Sequence, residues 1–264
     1  PENINIRQIK IVGNTVFSTA ELEALIGAEQ KTTISKDNLR SIIEKINKLY
    51  QDNGYITSRV SSEPKLKRNG LIFIPVTEGR IEDITISGLT RLRNNYVRNR
   101  LFRDKKQILN VDRLKESLQL LQINHLIKDI SGTLVPGSSI GSNILEVEVR
   151  EDDQFYVELS VDNLGDLSSG SLRRQLKINH DNLLGFGDRF FAAYTNTDGR
   201  NSLDNLSGIF PIYSRDGTVG ISYGVGKLEA IQEPLDVLDL DLNFSAFQVF
   251  ARQPIYQTPD RGLA

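Results

Sequence analysis

A segment that recurs at a fixed spacing must build the same structural unit twice, and this chain contains such a repeat. Ile9-Lys10-Ile11-Val12-Gly13-Asn14-Thr15 is echoed farther along by Ile84-Thr85-Ile86-Ser87-Gly88-Leu89-Thr90. Leu71-Ile72-Phe73-Ile74-Pro75-Val76 is echoed, at nearly the same separation, by Ile144-Leu145-Glu146-Val147-Glu148-Val149. The alternation over 6–12 predicts a strand that stops at Gly13. Ser18 and Glu21 have the spacing of a capping box, ahead of a short helix bearing Leu22, Leu25 and Ile26. Ser35 is the expected cap of a longer helix. Along it Leu39, Ile42, Ile43, Ile46, Leu49 and Tyr50 share one face, until Asn53-Gly54 ends it. Strands at 55–62 and 71–78 complete a β-α-α-β-β unit. The second copy reads the same way. It has a strand at 81–87 and a helix at 93–103 with Tyr96, Val97, Leu101 and Phe102. A second helix is capped by Asn110 and carries Leu114, Leu118 and Leu121, and strands follow at 127–135 and 143–150. Only Glu78-Gly79-Arg80 separates the copies, which predicts a restrained joint.

From Gln154 the helical period gives way to alternation. Phe155, Val157, Leu159 and Val161 point one way, and Tyr156, Glu158, Ser160 and Asp162 the other. Val219, Ile221, Tyr223 and Val225 alternate with Thr218, Gly220, Ser222, Gly224 and Gly226. Leu238, Leu240, Leu242 and Phe244 alternate with Asp239, Asp241, Asn243 and Ser245. Less regular segments lie near 170–179, 188–196 and 203–212. Turn signals such as Asp198-Gly199 and Asp216-Gly217 separate the strands. Six antiparallel strands with one apolar face fit either a soluble sandwich or a membrane barrel. Segment lengths near the ~9–11 residues of a spanning strand, and a glycine-rich polar face, lean toward the barrel. The expected organisation is 1–79, 80–152 and 153–264.

Hydrophobic residues at 39% and charged residues at 25% mark a folded chain. The net charge of −2 gives no footprint for nucleic acid. There is no cysteine, so disulfides and thiolate metal sites are excluded. No run approaches the ~20 apolar residues of a spanning helix. There is no GxxxxGK[ST] for a nucleotide and no G-x-S-x-G elbow for a serine nucleophile. His125 and His180 are the only histidines and lie far apart, so they are assigned to loops or the surface. Asp239 and Asp241 are read as exposed on a strand face. Gly185-Phe186-Gly187 precedes a strand and not a helix, so it is not a dinucleotide loop. No cofactor, metal or catalytic residue is expected, and the chain is read as a non-enzyme.

The repeated unit resembles the POTRA domain of outer-membrane protein transporters. Asn53-Gly54-Tyr55-Ile56-Thr57-Ser58 and Gly70 to Glu82 resemble the first such domain of two-partner secretion transporters, the TpsB family. Leu120-Leu121-Gln122 with Leu126-Ile127 resembles the second. Asp162-Asn163-Leu164-Gly165, Gly170-Ser171-Leu172-Arg173 and Asn182 to Asp188 resemble the first barrel hairpins. The resemblance implies an α+β fold: two tandem POTRA modules, then strands of an incomplete outer-membrane β-barrel. Six strands leave edges that a bilayer does not tolerate, so a fragment of a longer barrel is expected.

The resemblance further implies an outer-membrane location, with residues 1–152 in the periplasm. The implied partners are a secreted passenger protein, unfolded and extended, and outer-membrane lipid. The passenger would add as a strand to an exposed sheet edge. In the family's topology that edge is the second strand: Tyr55 to Ser61 in the first module, represented by Tyr55, Ile56, Thr57, Ser58, Arg59 and Val60, and Ile127 to Val135 in the second, represented by Ile127, Lys128, Asp129 and Ile130. Arg91, Arg93, Arg98, Arg100 and Arg103 form a basic run that would hold anionic lipid headgroups or an acidic client or, on the plainer reading, is a solvated helix face. A barrel-assembly insertase would use the same modules, usually in larger number.

Overall fold

The computed structural model describes residues 4–5, 7–27, 33–61, 63–67, 70–102, 107–212, 217–233, 235–257 and 262–263. The chain packs as two compact units. One comprises Pro1–Ser87, Arg100–Gln119 and Ser131–Glu148; the other comprises Gly88–Asn99, Leu120–Ile130 and Val149–Ala264.

In the first repeat, β1 (Ile4–Asn5) and β2 (Gln8–Val12) are followed by α1 (Thr19–Ile26), β3 (Thr33–Ile34) and α2 (Lys36–Asp52). Then come β4 (Arg59–Val60), β5 (Lys65–Leu66) and β6 (Leu71–Thr77). Ser18 caps α1 in a reciprocal capping box with Glu21, and Ser35 caps α2 through the N–H of Asn38. Strand β2 runs parallel to β6, with Ile9 opposite Ile72 and Ile11 opposite Ile74. These four side chains bury against Leu22, Ile26, Ile42, Ile46 and Tyr50, the apolar stripes of the two helices. Phe17 and Tyr55 meet Tyr50 edge-on, with ring centroids 4.9 and 6.2 Å away.

The second repeat follows the same order: β7 (Arg80–Ser87), α3 (Asn94–Leu101), α4 (Val111–Gln122), β8 (Ile127–Pro136) and β9 (Ser142–Glu151). Asn110 caps α4, its Oδ1 accepting the N–H groups of Asp112 and Arg113 at 3.1 Å each. Strand β7 is parallel to β9, Ile84 facing Leu145 and Ile86 facing Val147, as in the first copy. The sheet order β7-β9-β8 leaves β8 at an edge.

The remaining strands are β10 (Phe155–Asp162), β11 (Arg173–Asp181), β12 (Arg189–Asn196), β13 (Arg200–Ile212), β14 (Gly217–Glu229) and β15 (Asp241–Arg252), then the short pair β16 (Tyr256–Gln257) and β17 (Gly262–Leu263). Strands β10 to β15 form one antiparallel meander in chain order. Its register separates two faces. Val157, Ile178 and Ala192 align on one face, as do Leu159, Leu176 and Tyr194. The other face carries a polar ladder: Glu158 to Lys177 at 2.9 Å, Asp162 to Arg173 through two bonds of 3.0 Å, and Gln175 to Thr195 at 3.0 Å. At the bulge between Leu203 and Leu206 the ladder continues, with Asp204 accepting from Thr195, Arg200 and Ser202. Farther along, Phe244 and Phe250 of β15 lie across Gly226 and Gly220 of β14, where a Cβ would meet their rings. An apolar outside and a hydrogen-bonded polar inside is the pattern of a barrel wall.

Two expectations need correction. The strand expected at 55–62 is only Arg59–Val60 and, after a break, Lys65–Leu66, both paired to β6. Tyr55, Ile56, Thr57 and Ser58 form a turn, because the ring of Tyr55 is drawn into the core and the Ser58 hydroxyl accepts the Gly79 N–H at 2.9 Å. Leu238 and Leu240 do not open a strand. Asp236–Leu238 is a 3-10 turn, ended by Asp239 at φ +47, and the strand begins at Asp241.

Candidate functional site

A carboxylate at the end of the third strand closes each repeat. Glu78 accepts the N–H groups of Thr15 and Val16 at 2.6 and 2.8 Å, and the hydroxyls of Thr15 and Tyr50 at 2.5 and 2.9 Å. Its counterpart in the second repeat is Glu151, which accepts the N–H groups of Thr90, Arg91 and Leu92 at 2.6, 2.9 and 3.0 Å. Burial pushes both carboxyls up, but these hydrogen bonds outweigh it and hold them below the usual carboxylate range. The loops they grip begin at Gly13 and Gly88, at φ +89 and +81, where a Cβ would strike the carbonyls of Val76 and Val149.

Next to these carboxylates lie two joints, each inside one compact unit. In the first unit, the end of α2 meets the start of α4. Asn110 caps α4 with its Oδ1 and donates from Nδ2 to the Asn53 carbonyl at 2.8 Å. The Val111 N–H donates to the Gly54 carbonyl at 2.9 Å, and the Leu109 N–H to the Gly79 carbonyl at 2.7 Å. The Asn53-Gly54 helix stop is therefore also a docking point, and the restraint expected between the repeats has a hydrogen-bonded basis.

In the second unit, the segment before α3 meets the turn between β11 and β12. The guanidinium of Arg93 lies 3.8 Å from the ring centre of Phe186, and the Arg93 N–H donates to the Gly185 carbonyl at 3.0 Å. Gly187, at φ +81, lets Tyr96 approach so closely that a Cβ would enter its ring. Arg91 reaches His180 Nε2 at 3.2 Å, and Arg189 reaches His125 Nε2 and Asp181 at 2.8 Å each. Burial, then the Arg189 charge, pulls the His125 pKa down against the opposing pull of Asp181.

His180 lies on strand β11, half-buried, and not in a loop. Arg91 and Arg93 are engaged within the protein, Arg91 with His180 and Arg93 with Phe186. Arg98 and Arg100 lie on α3, and Arg103 falls outside the described residues. Among the described residues no group of three His, Cys, Asp or Glu side chains converges as for a metal, and no helix is long and apolar enough to cross a membrane. Asp241 is paired with Lys227 at 2.7 Å.

The two expected edges differ in what they offer. Strand β8 presents a ten-residue edge that includes Ile127, Lys128, Asp129 and Ile130, whereas Arg59 and Val60 contribute two residues. A sheet edge carries N–H and C=O groups aimed away from the sheet, a template for a further strand.

Two family models match the chain: POTRA domain, ShlB-type, over residues 4–79, and Haemolysin secretion/activation protein ShlB/FhaC/HecB over residues 141–215. The outer membrane transporter CdiB of Dickeya dadantii is 23% identical over 71% of this chain and 33% of its own length. The hemolysin transporter protein ShlB of Serratia marcescens is 24% identical over 76% of the chain and 34% of its own. The chain thus spans about a third of the length of these relatives. The solved structure of CdiB from Escherichia coli superposes with a TM-score of 0.61 at 17% identity, over 98% of this chain and 49% of that one, which supports the fold.

Proposed function

Because the chain belongs to the TpsB family of two-partner secretion transporters, we propose that it receives an unfolded passenger protein in the periplasm and passes it to an outer-membrane pore. In this reading residues 1–79 and 80–152 are periplasmic POTRA domains, and 153–264 are the first strands of the barrel. The observation that carries the reading is the sequence of two such modules, one with a long edge strand, joined to a wall that is apolar on one face and polar on the other.

The passenger adds as an extended strand along Ile127 to Ile130 and onward on β8, with Arg59 and Val60 as a shorter second edge. Main-chain pairing is weakly selective for sequence, which suits a client that must keep moving. The polar ladder faces the pore, and the opposite face meets outer-membrane lipid. Arg98, Arg100 and Arg103 are proposed contacts for its anionic headgroups. The chain acts as a transporter and not as an enzyme, and it uses no nucleotide or other cofactor. Folding of the passenger outside the cell supplies the drive.

The test is calorimetry of the full chain, in detergent, with the unfolded amino-terminal segment of the passenger encoded beside this gene. Micromolar binding to the unfolded form, absent for the folded form, is expected. Binding instead to carboxy-terminal peptides of barrel proteins would make the chain an assembly insertase.

A further inference from the structure

The edge strands are not bare. The N–H of Ser61 donates to the Pro75 carbonyl of β6 at 2.9 Å. Its neighbour Val60 therefore points its N–H away from β6, toward the open edge, because successive residues alternate sides. That N–H donates at 2.9 Å to Oδ1 of Asn47, a side chain of α2. The second module does the same more completely. Gln122, at the end of α4, accepts the Ile130 N–H on its Oε1 and donates from Nε2 to the Lys128 carbonyl, at 3.0 Å each. Lys128 and Ile130 are next-but-one neighbours and present their backbone groups on one side of β8. Where β8 turns into β9, the Gly137 N–H donates to the Ser142 carbonyl at 3.0 Å, so by alternation odd-numbered residues of β8 face β9 and Lys128 and Ile130 face the open edge. One side-chain amide thus occupies the donor and acceptor that an added strand would use.

Asn47 and Gln122 are separated by the same length of chain as Ile9 and its echo Ile84. The same helical position of each repeat reaches across to the same kind of target.

We propose that Gln122 is a guard on the client edge. Its amide imitates a strand partner at Lys128 and Ile130, and an incoming passenger strand must displace it. This inference rests on the strand-addition reading above. Gln122 is exposed, so its side chain can swing aside without disturbing the core. The guard serves two ends. It keeps an empty edge from pairing with the same edge of another transporter, the standing hazard of exposed strands. It also makes client binding an exchange of hydrogen bonds, which keeps the grip weak enough for release. Asn47, holding one backbone group where Gln122 holds two, is the lesser guard on the first module.

The experiment compares wild type with Gln122→Ala and Gln122→Leu in the full-length transporter. Both residues favour helix, so α4 is retained, and leucine keeps much of the side-chain volume while removing the amide. The passenger's unfolded amino-terminal segment is titrated into each, and exchange of the Ile130 amide hydrogen is followed with and without it. The proposal predicts that both variants bind roughly three- to tenfold more tightly than wild type. It also predicts that the Ile130 amide exchanges faster in the free variants and is protected again when the segment binds. Unchanged or weaker binding by the variants, with wild type still binding, overturns the guard and leaves strand addition standing. No binding by any of the three, with barrel and modules folded, overturns both.

Discussion

The hydroxyl of Tyr50 donates a 2.9 Å hydrogen bond to the carboxylate of Glu78, linking the buried face of the longer helix to the residue that ends the third strand. Burial, reinforced by the Glu78 charge, pushes the Tyr50 pKa up, so the hydroxyl stays a donor at any physiological pH. The Glu78 carboxyl is held below its usual value, so its contribution is present above the unfolded pKa of about 4.3 and is lost as pH falls through the folded value. Glu78→Gln is expected to destabilise the first module by about 2 kcal/mol at pH 7. The gap from wild type should narrow below about pH 4. Denaturant unfolding of the chain at pH 7 and at pH 3.5 checks both the size and the sign.

Gly13 and Gly88 carry the same obligation in the two repeats. Each has positive φ, and each faces a strand carbonyl where a Cβ would collide. Alanine at either position is expected to cost roughly 2–3 kcal/mol, more than an ordinary loop substitution. Alanine at Gly27, where nothing lies within 4 Å of the added carbon, serves as the control and should be nearly neutral.

Asn110 performs two separable tasks. Asn110→Asp keeps an acceptor for the Asp112 and Arg113 N–H groups and loses the donor to the Asn53 carbonyl. Asn110→Ala loses both. The alanine variant should fall by about 1 kcal/mol for the cap plus the cost of the lost cross-bond, and the aspartate variant by the cross-bond alone. Thermal unfolding of the two variants separates helix capping from docking.

The stack of Arg93 on Phe186 predicts a coupling of about 1 kcal/mol between the two side chains. A double-mutant cycle with Arg93→Ala and Phe186→Ala measures it. If the two losses simply add, the stack contributes nothing beyond each residue's own packing.

Much of this arrangement was legible in the sequence because local chemistry fixed it. Ser18, Ser35 and Asn110 cap helices where their spacing from the apolar stripes placed them. The echoes of Ile9 in Ile84 and of Ile72 in Leu145 became matched parallel strand pairs. The losses came from tertiary demands. Ile56, Ser58 and Val60 alternate like a strand, but the core requires the Tyr55 ring and Gly79 requires the Ser58 hydroxyl, so the chain turns there instead. Leu238 and Leu240 alternate equally well, yet the left-handed Asp239 breaks the extended path between them. In the sequence Gln122 is only a polar residue at the end of a helix, and its hold on the edge strand lies in the 3.0 Å distances to Lys128 and Ile130. Its spacing from Asn47 was the one sequence signal that would have pointed to it.

We propose above that an extended passenger pairs with the edge of β8 during export. The most direct measurement places a photoreactive amino acid at Lys128 or Asp129 of the full-length transporter, and at Lys48 or Asp52 on the exposed end of α2 as controls, in cells exporting the passenger. Cross-links to the passenger are expected from the β8 positions and none from α2. Equal cross-linking from both sets, or capture of nascent barrel proteins in place of the passenger, would contradict that pairing.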